Sequence, residues 1–257
     1  MIEKRMKRGQ VTIFIIVAIL IVGLVALIFF IIPKTKTETG FDVQNPRAFI
    51  QNCMEDTVAE VVDIISSKGG SVVPEFYFMY NGERVEYLCY TNEYYKTCVV
   101  QQPMLKQHIE SEIKTAIEGD VETCFTNLEE SYRIEGYTAE LQRGATEVEL
   151  LPKRVVVNFA GYVLAVTKAD TARHEAFSVV LNNNLYELIS IANSIIDWEA
   201  TYGEAETTAY MTYYKDLKVE KHTQQDGTKV YIISDRDTGS KFQFASRSVA
   251  WPPGFAS

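Results

Sequence analysis

Residues Pro46 to Gly70 read PRAFIQNCMEDTVAEVVDIISSKGG. Ile50, Met54, Val58, Val61 and Ile65 recur at intervals of three and four, the spacing that places side chains on one face of an α-helix. An amphipathic helix is therefore expected from Pro46 to Ser67, opened by the proline and stopped by Lys68-Gly69-Gly70. Cys53 falls on or beside its apolar stripe. Such a helix needs another apolar surface to pack against, and the chain supplies one further on. Pro103 stands at a helix-start position, and Leu105, Ile109, Ile113, Ile117, Val121 and Cys124 follow with helical spacing. Two helices with a cysteine on each core-facing stripe make Cys53–Cys124 the expected distant bridge.

The segment between these helices is rich in tyrosine. Val72 to Tyr80 and Arg84 to Tyr90 flank Asn81-Gly82, the strongest short signal for a β-hairpin. A second turn runs from Cys89 to Cys98, so these two are the expected local pair. Four cysteines allow three connectivities, and free or metal-bound thiols are the competing reading. Metal binding is disfavoured because no Cys-x2-Cys pair occurs and only His108 lies near. Tyr90, Tyr94 and Tyr95 crowd the second turn and are the candidate contact residues, with core packing as the alternative for the aromatic cluster as a whole.

After Tyr137 the period changes to two. Glu147 to Leu151, Lys153 to Thr167 (bent near Gly161) and His174 to Leu181 read as antiparallel strands. A third helix is expected over Leu185 to Tyr202. A small antiparallel sheet should follow, from Leu217 to His222, Val230 to Ser234 and Lys241 to Ala245, and then a tail at Trp251-Pro252-Pro253-Gly254. Helices and strands come in blocks, which indicates an α+β fold. No internal repeat is evident. Residues 46–130 read as a helix-hairpin-helix region with the four cysteines, and 131–257 as antiparallel sheet with one helix.

Upstream, Val11 to Ile32 is a run of 22 residues without a charge, preceded by Lys4, Arg5, Lys7 and Arg8. At about 1.5 Å per residue a helix of that length matches a hydrocarbon core of about 30 Å. No small-residue cleavage site of the secretory type follows it. The basic flank, residues 1–10, predicts a cytoplasmic amino terminus, with residues 33–45 as a short stalk and the rest outside, where disulfides persist. That flank holds four of the 25 basic residues and one of the 34 acidic ones, leaving 21 and 33 beyond it, a formal −12. Such an acidic surface repels nucleic acid and anionic headgroups, so the expected partners are the membrane through 11–32 and either a second copy or another surface protein.

No nucleophile elbow, phosphate loop, dinucleotide fingerprint or His-Glu-x-x-His motif occurs, which lowers the expectation of catalysis. His108, His174 and His222 are isolated in sequence and read as surface or structural, because no orienting carboxylate can be placed beside them. Asp235-Arg236-Asp237-Thr238-Gly239 starts like a calcium loop but lacks its later ligands, so it reads as a turn. No cofactor or metal is expected.

Lys7-Arg8-Gly9-Gln10-Val11-Thr12 resembles the class III signal of archaeal prepilins. The resemblance implies cleavage between Gly9 and Gln10 and an apolar stem that bundles in a filament, with Gly23 at a close helix contact. One departure is that Ile13, Phe14 and Ile15 fill the neighbourhood where that family carries a glutamate. The order of anchor, cysteine-bearing helix, aromatic hairpin, second helix and strands is similar, more broadly, to uncharacterised anchored surface proteins of small-genome archaea. The expected function is a non-enzymatic, membrane-anchored surface protein, either a pilin-like filament subunit or an adhesive or structural one. The alternatives are a subunit or ligand-binding module of a larger membrane complex, and an anchored enzyme.

Overall fold

The computed structural model describes residues 44–250 and the single residue Ala18. Apart from Ala18, the apolar run 11–32, and with it Gly9, Gln10, Gly23, the stalk up to Val43 and the tail from Trp251, lie outside the described residues. Among the described residues no helix is long and apolar enough to cross a membrane.

Helix α1 spans Pro46–Lys68. Asn45 caps it by accepting a hydrogen bond from the Ala48 N–H at 3.2 Å, with Pro46 in the first turn where its missing N–H costs nothing. Its buried stripe is Ile50, Met54, Val58, Val62 and Ile65. Val62 takes the place assigned to Val61, because a spacing of four from Val58 follows the helical pitch more closely than three at this point of the face. Strands β1 (Tyr77–Tyr80) and β2 (Glu83–Tyr90) form the hairpin about Asn81 and Gly82, both at positive φ as a type I′ turn requires. The two-residue strand β3 (Val99–Val100) returns against β2. Helix α2, Leu105–Ile134, begins after Pro103 and Met104 and continues past Cys124, its apolar stripe extended by Leu128 and Tyr132. The boundary placed at residue 130 therefore falls inside a helix.

The Cys53–Cys124 and Cys89–Cys98 bridges are both formed, with Cα separations of 6.1 and 5.4 Å, inside the range that a disulfide spans. The first closes a separation of 71 residues, and by the chain-entropy account stabilises the fold by about 4 kcal/mol.

The following strands form two small sheets. β5 (Ala145–Leu151), β6 (Arg154–Ala160) and β9 (Phe177–Asn182) make one antiparallel sheet. The other holds β4 (Thr138–Gln142), β7 (Val163–Thr167) and β8 (Thr171–His174). The stretch Lys153 to Thr167, expected as one bent strand, is thus two strands in two sheets, because Gly161 at φ +76° breaks the ladder rather than bending it. Ala176 at φ +58° likewise divides His174 to Leu181. Side chains of the two helices finish the edges of the β5–β6–β9 sheet. The Gln51 amide from α1 exchanges two hydrogen bonds with Val180, at 2.9 and 3.1 Å, and Glu110 from α2 accepts from the Leu150 N–H at 2.8 Å. An edge strand satisfied in this way offers less template to a stray strand.

Helix α3 (Leu185–Tyr202) has the expected bounds, but a short helix α4 (Thr207–Tyr213) was not foreseen. No side chain of α4 is buried, so it carries no apolar period to read. Strands β10 (Leu217–Thr223), β11 (Lys229–Asp235) and β12 (Lys241–Arg247) are antiparallel to one another. β12 then pairs in parallel with β2, giving a mixed sheet of order β1-β2-β12-β11-β10 with β3 added on β2. The three strands are antiparallel as expected; the parallel addition of β2 to β12 was not expected, because alternation records which residues face inward but not which distant strand comes alongside or in what direction. The parallel pair also joins the first region to the last, so 46–130 and the described part of 131–257 share one core. Tyr231 and Phe244 are fully buried, and Val230 packs with Val85, Tyr87 and Ala245 in an apolar cluster.

Candidate functional site

Helix α1 ends at Gly69, whose φ of +92° starts the left-handed turn that stops the helix. A Cβ at Gly69 would lie 3.0 Å from the Glu86 Cβ and 3.1 Å from the Glu86 N, so the turn can lie against β2 only because the position is glycine. That approach delivers Ser71 to three groups from different elements. Its Oγ lies 2.5 Å from the Glu86 carboxylate on β2 and 2.9 Å from Nε2 of His108 on α2. One turn along α2, Glu112 accepts from the Val72 N–H at 2.9 Å. Since an ionised carboxylate can only accept, the Ser71 hydroxyl donates to Glu86 and accepts from the His108 N–H. Burial pushes the Glu86 carboxyl above the usual carboxylate range, against the pull of Ser71, His108 and Gln102, with Glu112 adding to the rise. The cluster opens on a cavity of about 400 Å³ that Phe76, Tyr87, Gln101 and Gln102 also line.

A second polar cluster lies under α3. Glu199 is fully buried, and its carboxylate accepts from Tyr231 Oη at 2.5 Å, Lys229 Nζ at 2.8 Å, Ser246 Oγ at 3.0 Å and the Ala205 N–H at 3.1 Å. Lys229 places its other donors on the Gly203 carbonyl at 2.7 Å and on Glu204 at 2.9 Å. Burial alone would raise the Glu204 carboxyl, but Lys221 and Lys229 outweigh it and hold it below its ordinary value. Burial, and then the Glu199 charge, push the Tyr231 hydroxyl far above the ordinary tyrosine value. Ser248 joins this cluster to the local bridge, donating to the Glu199 carbonyl at 2.9 Å and accepting from the Cys98 N–H at 3.0 Å. Every donor of the Lys229 ammonium is used within the protein, so the cluster pins α3 to the sheet and has no donor left for a ligand.

The three candidate contact tyrosines separate. Tyr90 is half-buried, with its ring 4.6 Å from Phe76 and 5.0 Å from Tyr87. Tyr94 and Tyr95 are exposed, at 59 % and 71 %. The Arg247 guanidinium lies 5.7 Å from the Tyr94 ring and donates through Nη1 to the Thr91 carbonyl and through Nε to the Asp226 carbonyl, which ties the turn to β12. A larger groove of about 930 Å³ runs past Tyr186, Tyr213 and Tyr214, with Lys153 and Asp235 on its walls. Glu187 there accepts from the Lys153 N–H, while its Oε2 is buried with no hydrogen-bond partner among the described residues. Asp235 accepts from the Asp237 and Thr238 N–H groups, which makes the calcium-like stretch an Asx turn.

His108 is the one histidine that the fold sets in a chain of carboxyl and hydroxyl groups, and Ser71, Glu86, Gln102 and Glu112 were not expected beside it. Two signals for them exist in the sequence: the His108–Glu112 spacing of four on one helix, and a glutamate inside the otherwise apolar Val85–Cys89 stretch. Nothing in the sequence ties either to Ser71. No group of three or more metal-ligating side chains occurs among the described residues. Comparisons with protein-family profiles, curated proteins and solved structures returned no match for this chain.

Proposed function

We propose that the chain is a membrane-anchored cell-surface protein, its apolar run 11–32 holding a disulfide-bonded α+β head outside the membrane in a structural or adhesive role. The observation that carries this reading is the pairing of all four cysteines, with none left free. Two bridges persist in an oxidising compartment, and the basic flank before the run places the head there by the positive-inside rule. The Gly9-Gln10 junction adds the pilin-like form, in which cleavage frees the stem to pack against its neighbours. A binding module of a larger complex is the second reading, favoured by the open cavity beside Ser71.

Protease added to intact cells should degrade the head and spare an amino-terminal tag, and amino-terminal sequencing of the native protein should distinguish a chain starting at Gln10 from an intact anchor. A protected carboxy terminus with an accessible amino terminus would reverse the orientation and remove the basis of the reading.

A further inference from the structure

Buried carboxylates are ordinarily met by a cation, and Glu199 follows that rule: the Lys229 ammonium lies 2.8 Å away, beside the hydroxyl donors. Glu86 is buried too, at 8 % exposure, yet no lysine or arginine touches it among the described residues. His108 reaches it only through Ser71. Where Lys229 fills the space beside Glu199, the space beside Glu86 is a cavity of about 400 Å³.

The lining of that cavity accepts more than it donates. Glu112 from α2 uses one carboxylate oxygen on the Val72 N–H, and the exposed Glu75 adds a third carboxylate. The Gln101 NH2 group donates to the Val99 carbonyl at 2.7 Å, and the Gln102 side chain is hydrogen-bonded to Glu86. Each amide therefore has its carbonyl oxygen, and at most one N–H, to offer a ligand. Phe76, 44 % exposed, and Tyr87 have ring centroids 4.9 Å apart, and the Tyr87 hydroxyl is bonded to Thr228 at 2.9 Å, so both offer the cavity aromatic surface.

Those features exclude ligands by class. A phosphate or an organic acid would meet three carboxylates and no lysine or arginine. An uncharged ligand, polar or apolar, would displace water from Glu86 and bring no charge to offset the buried carboxyl. A bare divalent ion needs several oxygens converging on one point, and no group of three or more metal-ligating side chains occurs among the described residues. An alkylammonium meets each condition: its N–H groups donate to carboxylates and amide carbonyls, its charge answers Glu86, and its methylenes and charge both suit an aromatic wall.

We infer that the cavity formed by Glu75, Glu86, Glu112, Phe76 and Tyr87 binds a primary ammonium group on an alkyl stem, the chemistry shared by a lysine side chain of another protein and a free polyamine. The ammonium takes beside Glu86 the part that Lys229 plays beside Glu199, and the stem lies along Phe76. This rests on the binding-module reading and gives it a ligand class, but it does not rest on the anchor.

The test is saturation-transfer NMR on the full chain in an uncharged detergent, with N-acetyl-lysine methylamide, 1,4-diaminobutane and the uncharged analogue N-acetyl-norleucine methylamide as probes. At least one of the two amines should give a saturable signal with a Kd on the order of 1 mM, as small polar ligands do, and the norleucine analogue none. The tighter amine identifies the source, a lysine side chain or a free polyamine. Glu86→Gln keeps the shape of the side chain and removes its charge, and should weaken binding about tenfold, since charge-assisted hydrogen bonds are the strong ones. Phe76→Ala, at an open position, should weaken it about threefold through the lost ring face. Glu118→Gln, on the exposed face of α2 away from the cavity lining, should leave the Kd unchanged and so separates the site from general attraction to an acidic surface. No saturable signal from either amine, equal binding of the norleucine analogue, or an unchanged Kd in both Glu86→Gln and Phe76→Ala would each overturn the assignment. A reversed topology in the protease experiment would leave these affinities untouched, so the two proposals fail separately.

Discussion

The Glu199 cluster and the Glu86 cluster are built from similar parts and end differently. Each sets a buried glutamate against a hydroxyl and a nitrogen donor contributed by other elements. Around Glu199 the donors are a full ammonium, two hydroxyls besides that of Ser248, and a backbone N–H, and the ion pair closes on itself at 5 % and 0 % side-chain exposure. Around Glu86 no lysine or arginine enters among the described residues, the hydroxyl of Ser71 is shared with a histidine, and the far side is open space. A closed buried charge pair holds elements in register, whereas a buried carboxyl without a cation beside a cavity is a group with capacity to spare. The difference lies in which side chains the tertiary packing leaves uncovered.

The largest effect should come from breaking the closed cluster. Lys229→Met removes the only cation that touches Glu199 among the described residues and should destabilise the fold by about 3 to 5 kcal/mol, read from urea unfolding, since a buried carboxylate is then left uncompensated. A loss of under about 1 kcal/mol would mean that water reaches Glu199 and that the two clusters are alike. Ser71→Ala in the open cluster should cost only about 1 kcal/mol, because the cavity lets solvent take the place of the lost hydroxyl. A cost as large as that of Lys229→Met would make the open cluster structural and erase the contrast.

The smallest effect is a pH dependence, and its sign follows from the raised carboxyl. A group whose folded pKa lies above its unfolded value contributes stability below the unfolded value, near 4.5, and loses that contribution as pH rises through the folded one. Glu86→Gln cannot ionise, so its stability relative to the parent chain should improve on going from pH 4 to pH 7. Parallel unfolding free energies across that interval would remove burial as the dominant influence on Glu86.

The helices show how much could be read directly. Ile50, Met54, Val58 and Ile65 in α1, and the six apolar positions from Leu105 to Cys124 in α2, mark their buried faces by spacing alone. Both bridges could be anticipated because each joins cysteines that local structure already orients, two on facing helix stripes and two across one turn. The Asn81-Gly82 turn and the bounds of α3 are equally local. In each case the deciding interaction lies within a few residues, where periodicity and turn chemistry act.

What lay beyond reading were the relations between distant segments. The parallel pairing of β2 with β12 joins residues more than 150 positions apart, and neither strand's alternation states its direction or its neighbour. The division of the middle strands at Gly161 and Ala176 depends on which sheet each half joins. His108 reads as solitary until α2 is laid against the Gly69 turn, and Glu199 as an ordinary helix residue until Lys229 and Tyr231 arrive from β11. Periodicity determined α1, α2 and α3, most of the strands and the faces they bury, because local backbone sterics and burial act on neighbouring residues; the exposed α4 and the short strands β3, β4 and β8 carried no such period. The polar clusters and the cavity were decided only when the core closed, because a charge, a hydroxyl and an imidazole from three elements meet only where packing brings those elements together.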